Sequence, residues 1–431
     1  MIEDRTPDVL IVGGGVVGMS CAWYLARSGA RVTVVDAATI GDRLACSYGN
    51  QGLVCPSHAV PIAAPGVVAQ GLRWLFDPTS PLYIRSPWRP EMLRWLWRFA
   101  QASKPARTEA GTAAMAEFLQ HSAKLHAGIA ATAAGTTTEG TNPYGYAADG
   151  VLYAFLTEEM LHHHLEESHR VARHGIPFEQ LTGEQVRRME PALSPRVIGG
   201  VLYPGDAHVD SRSFVRWLHA QAQEAGAQVV EQTDVLRLRA GGRGDRASVL
   251  TSRGEIAAGQ IVIAAGSWSP RVAAGLGLRL PVQAAKGYSV TFSNPPWRPS
   301  RPVNLGDARA VATPLPRGVR IGGTLELAGL DRSINLRRVQ AILDGAGRVV
   351  PGARFDAADP GAEVWHGLRP LSPDTLPIVG RPHGHANVVL ATAHGTLGLS
   401  LGPATGEAVA ALIAGSKPAI DLRPFSPDRF A

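Results

Sequence analysis

The segment DVLIVGGGVVGMSCAWYLARSGARVTVVD, residues 8–36, leaves little freedom to whatever folds around it. Asp8–Val12 reads as a buried strand, Gly13, Gly15 and Gly18 make a GxGxxG turn, and an apolar helix follows to about Ser28. Gly29 stops that helix, and Val32–Val35 reads as a second strand ending on Asp36. Each piece has a physical task. Gly13 permits the tight turn, Gly15 lets a pyrophosphate approach the backbone, Gly18 lets helix pack on strand, and Asp36 can accept ribose hydroxyls. A lone GxGxxG is weak evidence, but strand, turn, helix, second strand and acid together predict a Rossmann-type βαβ unit that binds a dinucleotide. NAD and FAD share this signature, so the rest of the chain must separate them.

With 431 residues the chain is long enough for two or three domains. No second fingerprint follows. The segment GGRGDRA, Gly241–Ala247, is too charged, follows no apolar strand and reads as a hairpin loop. QIVIAAGSWSP, Gln260–Pro270, reads as an apolar strand ending at Ala265 and Gly266 that returns the chain to the same sheet beside the nucleotide.

Near the other end stands HGTLGLSLGPATGEAVAALIAG, His394–Gly415, in which Gly395, Gly398, Gly402 and Gly406 precede an apolar helix. Pro403 suits a first helical position, Ala408, Val409, Leu412 and Ile413 follow at helical spacing, and Gly415 reads as the left-handed stop. Such a loop brings main-chain N–H groups and the helix's partial positive charge close to an anionic or electron-accepting ligand. A buried helix-to-strand turn is the competing reading.

Composition narrows the classes further. Forty-five per cent apolar residues can fill sizeable cores, and no run of about 18 apolar residues suggests a membrane-spanning helix. The opening MIEDRTPDVLIV is acidic and passes directly into a strand, which reads as cytoplasmic rather than secreted. Cys21, Cys46 and Cys55 form neither a metal-ligand spacing nor a disulfide framework. The net charge of +6 comes mostly from scattered arginines, and no nucleic-acid motif accompanies it.

After Asp36 the chain reads LACSYGNQGLVCPSHAVPIAAPGVVAQGLRWLF, and later LPVQAAKGYSVTF, RIGGTLELAG, GLRPLSPDTLPIVG, AHGTLG and PFSPDRF. On these stretches it resembles, over nearly its whole length, the D-amino-acid dehydrogenase branch of the FAD-dependent D-amino-acid oxidase and glycine oxidase superfamily. The resemblance implies noncovalent FAD and oxidation of the substrate Cα–N bond to an imine by hydride transfer to flavin N5. A 2-oxo acid and ammonia are released after hydrolysis. It also implies a respiratory role with quinone as electron acceptor, and it leaves D-hydroxyproline or another secondary amine such as sarcosine, or glycine, as the alternative substrate.

Carried over residue by residue, the resemblance gives Gly13, Gly15, Val16, Val17, Gly18, Asp36 and Ala37 to the ADP half of FAD. Ser47, Asn50, Gln51 and Gly52 would line the pyrophosphate and flavin, Val235 would meet adenine through its backbone, and Ala265, Gly266 and Trp268 would border the cofactor. His394, Gly395, Thr396, Leu397 and Gly398 would reach the flavin, their main-chain N–H groups facing the pyrimidine edge where reduced flavin gathers negative charge. Arg369 in GLRP aligns with the family's substrate-carboxylate arginine, beside the flavin, and a planar guanidinium suits a carboxylate. Tyr288, and Tyr144 or Tyr146, would close the substrate pocket. The sequence departs from the family pattern at Cys46, where threonine is common, at Gln51, where a small residue is common, and at Ala393, where glycine usually precedes the histidine.

The histidines of LHHHLEESH, His162–His169, are mostly consecutive and read as a solvated helix face, not a metal site. In PEMLRWLWRFAQ, Pro90–Gln101, Glu91, Arg94, Arg98 and Gln101 form a polar stripe against an arc of Met92, Leu93, Trp95, Leu96, Trp97 and Phe99. With Trp74, Leu75, Phe76 and Trp88 nearby, this helix either dips into a membrane surface, making the protein peripheral on the inner face of the cell membrane, or packs inside the substrate domain. The expected fold is α/β. A discontinuous Rossmann-type FAD domain, residues 1–60, 195–280 and 365–431, would join an α+β substrate domain, 61–194 and 281–364, whose antiparallel sheet comes from about 281–364.

Overall fold

The computed structural model describes residues 6–74, 82–135, 137, 140–239, 241 and 246–430. Among them the predicted βαβ unit is present: strands Val9–Val12 and Val32–Val35 pair in parallel around helix Val16–Arg27. The β-branched, fully buried sequences VLIV and VTVV suit a sheet covered on both faces. The six-stranded sheet runs Ile378–Gly380, Val388–Thr392, Gln260–Ile263, Val9–Val12, Val32–Val35, Gln228–Val230, with only the first pair antiparallel. Gln260–Ile263 does return beside Val9–Val12, so Ala265 and Gly266 follow directly from the carboxyl edge of the nucleotide sheet. A three-stranded antiparallel sheet, Val235–Arg239, Ala247–Thr251 and Gly254–Ala258, covers one side. The hairpin expected at 241–247 joins the first two of these strands, but residues 242–245 lie outside the described set.

The second layer is a nine-stranded, mostly antiparallel sheet centred on the long strands Gln283–Phe292, Gly318–Leu327 and Ala362–Leu371. Its membership corrects the sequence division. Gly199–Tyr203 and Ala362–Leu371 belong wholly to this sheet, although the boundaries at 195 and 365 gave the first strand, and residues 365–371 of the second, to the nucleotide part. Helix Pro105–Gly135, assigned to the substrate domain, packs along helix Gly398–Ala414: His121 pairs with Glu407 at 2.5 Å, and His126 Nε2 lies 3.0 Å from the Leu399 carbonyl. That carbonyl is free because Pro403, four residues on, has no N–H to donate.

Pro403 therefore sits inside the helix, not at its start, which lies at Gly398. The glycines explain this. A Cβ at Gly402 would press on Val16 and Ser20, and one at Gly406 would meet the Ser20 main chain at 2.6 Å. Gly398, Gly402 and Gly406, four apart, form the strip on which the C-terminal helix meets the first helix. Only Gly395, at φ +57°, belongs to the loop proper.

Helix Pro90–Ala102 divides its apolar arc between the two predicted fates. Met92 and Trp95 are buried against Ala285, Leu327 and Leu371, whereas Trp88, Leu93 and Trp97 are exposed at 73, 53 and 64 %. Leu75 and Phe76 lie outside the described residues, as does the side chain of Trp74.

Candidate active site

Two cavities occupy the seam between the layers. The first, about 740 Å3, runs from Asp36, Ala37 and Thr233–Leu238 past Gly13, Gly15, Val16, Val17 and Ser47 to Ala265, Gly266, Trp268 and His394. The second, about 550 Å3, is bounded by Gln51, Gly287, Trp365, Gly367, Arg369, Thr396 and Leu397, with a far wall from helix Glu158–Ala172. They share Cys46, Asn50 and Gly395. An elongated dinucleotide could thus lie in one cavity and present its terminal ring to the other.

The geometry of the first cavity fits FAD. Gly15 caps the first helix in extended conformation without a side-chain cap, and beyond its chain neighbours an added Cβ would meet, among the described residues, Ser47 Oγ alone, at 3.7 Å. Gly13 (φ +106°) would press a Cβ to 2.6 Å from the Ala264 carbonyl, and a Cβ on Gly18 would collide with the Gly13 carbonyl. Asp36 accepts from the N–H groups of Gly14 and Ala38 at 2.6 and 2.7 Å; burial pushes its carboxyl up, against those bonds. Ser47 Oγ accepts from Val16 N–H at 3.1 Å. Val235 lines this cavity, while Gly52, at φ +74° against the Val209 carbonyl, lines neither. Asn50 Oδ1 accepts the Gly52 N–H at 2.7 Å, so its side chain shapes the turn.

The glycine loop is more selective than its sequence implies. Gly395 and Leu397 spend their N–H groups on the carbonyls of Pro370 and His394, both at 2.9 Å. Those of Thr396 and Gly398 have no acceptor among the described residues, and these two residues line the second and first cavity respectively. Burial lowers the His394 imidazole to about 3, so it is neutral; its Nε2 lies 3.0 Å from Thr405 Oγ1. The unexpected Ala393 adopts φ +60°. That left-handed backbone explains why glycine is the common residue there, and alanine bears about 1 kcal/mol or more of strain.

Arg369 lies on strand Ala362–Leu371 with its guanidinium packed over Gly287, the cross-strand glycine that leaves it room. Nη1 donates to the Thr324 carbonyl at 2.6 Å, which orients the fork and leaves its other donors on the cavity side. Thr324 holds φ +70° to offer that carbonyl. Cys46 lies close by, and burial pushes its thiol up to about 11, too high for thiolate chemistry.

The tyrosine expectations need correction. Tyr144 lines neither cavity: its ring packs against Phe214 and Trp217 in the core of the nucleotide layer. Tyr146, half-buried, also lines neither. Tyr288 borders the second cavity, but its hydroxyl donates to Glu326 at 3.2 Å and accepts from Asn335 N–H at 3.3 Å. Alternation along the strand sends Lys286 and Tyr288 to the face opposite Gly287 and Ser289. There they tie down segment 331–335, Lys286 holding Asp331 at 2.8 Å and the Ser333 carbonyl at 2.7 Å. From that segment Arg332 stacks over Trp268, 5.3 Å from its centroid, at the rim of the first cavity.

Sequence reasoning missed the far wall. His58 Nε2 lies 2.6 Å from Tyr153 Oη, and His164 stacks on Tyr153 at 4.2 Å. His164 is thus turned inward, not solvated; its spacing with Met160, Leu161, Leu165, Ser168 and Val171 places it on the helix's inner face, a signal the run of histidines obscured. Among the described residues no cluster of His, Cys, Asp or Glu could hold a metal ion, and no helix is long and apolar enough to cross a membrane.

A family profile described as DAO, FAD dependent oxidoreductase, matches residues 8–412. The chain belongs to this family. It is 35 % identical to a D-amino acid dehydrogenase of Paramagnetospirillum magneticum, the match covering 98 % of both chains. It is 32 % identical to a D-amino-acid oxidase of Bradyrhizobium diazoefficiens, again over 98 % of both. Among solved structures, glycine oxidase from Geobacillus kaustophilus superimposes with a TM-score of 0.77 at 25 % identity over 98 % of both chains. The protein is therefore an FAD-dependent oxidoreductase with the fold of that family.

Proposed function

We propose that the protein is a D-amino-acid dehydrogenase, releasing a 2-oxo acid and ammonia. The observation that carries this reading is the junction at Cys46, Asn50 and Gly395, where the FAD cavity opens onto a chamber with the Arg369 guanidinium in its wall. FAD, when bound, supplies the hydride acceptor. Arg369 takes the substrate carboxylate on the donors that Thr324 leaves unused, fixing Cα toward the junction. The unpaired N–H groups of Thr396 and Gly398, at the N-terminus of helix Gly398–Ala414, stabilise negative charge gathered there. As hydride leaves Cα, the lone pair of the neutral amine forms the C=N bond, and water then hydrolyses the imine. We assign FAD a noncovalent seat: Cys46 is the one cysteine on either cavity wall, and burial pushes its thiol up to about 11. We assign the electrons to a quinone-type acceptor and the exposed Trp88, Leu93 and Trp97 to a membrane surface on the cytoplasmic side, supported by their exposure on and just before helix Pro90–Ala102, with Arg85 and Arg89 preceding the helix and Arg94 within it. Anaerobic titration of the yellow protein tests the reading. D-amino acids should bleach it and L-enantiomers should not; bleaching by L-amino acids alone, or by none, would reject it.

A further inference from the structure

Electrostatics at the two ends of the substrate chamber differ. At one end stands Arg369, next to the junction with the FAD cavity. At the other, helix Glu158–Ala172 lays Met160, His163, His164 and Glu167 along the wall at helical spacing, spread over about 10 Å. None of these lines the FAD cavity, and their helix packs on strand Val151–Phe155, which four other strands of the large sheet separate from the Arg369 strand, so they form the end remote from the reacting centre. Beside them on the chamber wall, Tyr153, Phe155 and Met160 supply apolar surface.

Among the described residues Glu167 is the sole carboxylate on the chamber wall. Its side chain is 37 % exposed, and the nearest imidazole nitrogens, His164 Nδ1 and His163 Nε2, stand at 3.5 and 3.8 Å. The His163 separation is longer than a hydrogen bond and His164 engages one oxygen, at the long limit, so the carboxylate keeps acceptor sites for a ligand. Burial alone would push the Glu167 carboxyl up; the two imidazoles and Arg170 outweigh it and hold the group below its ordinary value, hence ionised at neutral pH. Arg309, the other strong cation on the wall besides Arg369, has a partner of its own.

We propose that the chamber selects D-amino acids with a cationic side chain, and that Glu167 is the residue that reads that charge. This deepens the functional reading above and rests on it. With the α-carboxylate on Arg369, an aliphatic stem would cross the Tyr153, Phe155 and Met160 surface and deliver a terminal ammonium or guanidinium to Glu167. A neutral side chain of equal length would gain the apolar contact but leave Glu167 solvated. An anionic one would meet repulsion.

The test compares D-lysine with D-norleucine, which keeps the four-carbon stem without the ammonium, using the FAD-loaded enzyme with a dye acceptor. D-lysine should show the higher kcat/KM. Glu167→Gln should cut kcat/KM for D-lysine by about 10- to 100-fold, the range of a hydrogen bond to a charged group, chiefly through KM. D-norleucine turnover, Tm and flavin content should be unchanged. Equal kcat/KM for the two substrates, equal losses for both in the variant, or a preference for D-glutamate would overturn the assignment while leaving D-amino-acid oxidation standing. Failure of every D-amino acid to bleach the flavin would overturn the functional reading, and this one with it.

Discussion

Replacing Arg369 with alanine removes two interactions of unequal weight. The donor to the Thr324 carbonyl, 2.6 Å away, disappears, and a half-buried carbonyl loses its partner; that costs about 1 kcal/mol of stability, a fall in Tm of a few degrees at most in a chain this long. The substrate carboxylate would meanwhile enter a chamber without its cation, which costs about 2–5 kcal/mol. At about 1.4 kcal/mol per factor of ten, kcat/KM should fall between about 30-fold and several thousand-fold. Lysine should restore only part, because a point charge cannot bond Thr324 and a carboxylate in one plane. Flavin absorbance should persist, since the guanidinium touches the strand and the chamber and not the nucleotide cavity. The decisive assay sets the amino acid beside the corresponding amine lacking a carboxylate. The amine's poor turnover should scarcely change in the variant. Equal losses for both, or flavin lost with the arginine, would show that Arg369 serves only to hold Thr324 in its left-handed conformation.

Gly15→Val should yield a folded protein with no flavin, because the side chain enters open cavity, whereas Gly18→Ala should fail to fold, because its methyl meets the Gly13 carbonyl; Tm and flavin absorbance separate the two. Burial pushes the Asp206 carboxyl up to about 7, against its bonds from Ser57. A carboxyl raised on folding contributes fully below its unfolded value, near 4, and progressively less as pH rises to about 7. The Tm advantage of wild type over Asp206→Asn should therefore shrink between pH 4 and 7 and then level off; a constant difference would refute the protonated Asp206. Trp97→Ser should lower binding to anionic vesicles without shifting Tm, whereas Trp95→Ser, buried on Leu327 and Leu371, should cost about 3–5 kcal/mol of stability.

The nucleotide half was legible from local pattern because its signals are local. Strand, glycine turn, helix and acid all fall within residues 8–36, and the returning strand Gln260–Ile263 announces itself by apolarity. What misled was long-range packing. Gly402 and Gly406 look like loop residues until the first helix is laid against them, and Pro403 looks like a helix start until His126 is found on the carbonyl it leaves free. Tyr144 and Tyr288 are plausible pocket residues by neighbourhood. Their side chains point elsewhere because strand alternation and the Phe214–Trp217 cluster claim them. The far wall was unreadable from the chamber's own motifs, since His58, Tyr153, His164 and Glu167 meet only once strand Val151–Phe155 joins the large sheet.

The junction of the two cavities also bears on how the protein is made. Cys46 and Asn50 are synthesised long before Gly395, and all three border the place where the flavin ring would lie. No nascent chain ending before the glycine loop can enclose that ring. Enclosure of the ring must therefore follow closure of the C-terminal helix onto the first. From then on, flavin concentration and folding belong to one equilibrium, in which each tenfold rise in free FAD above its Kd adds about 1.4 kcal/mol to the native state. A shortage of flavin would consequently show itself first as chains that are complete, uncoloured and prone to turnover, and only secondarily as lost activity.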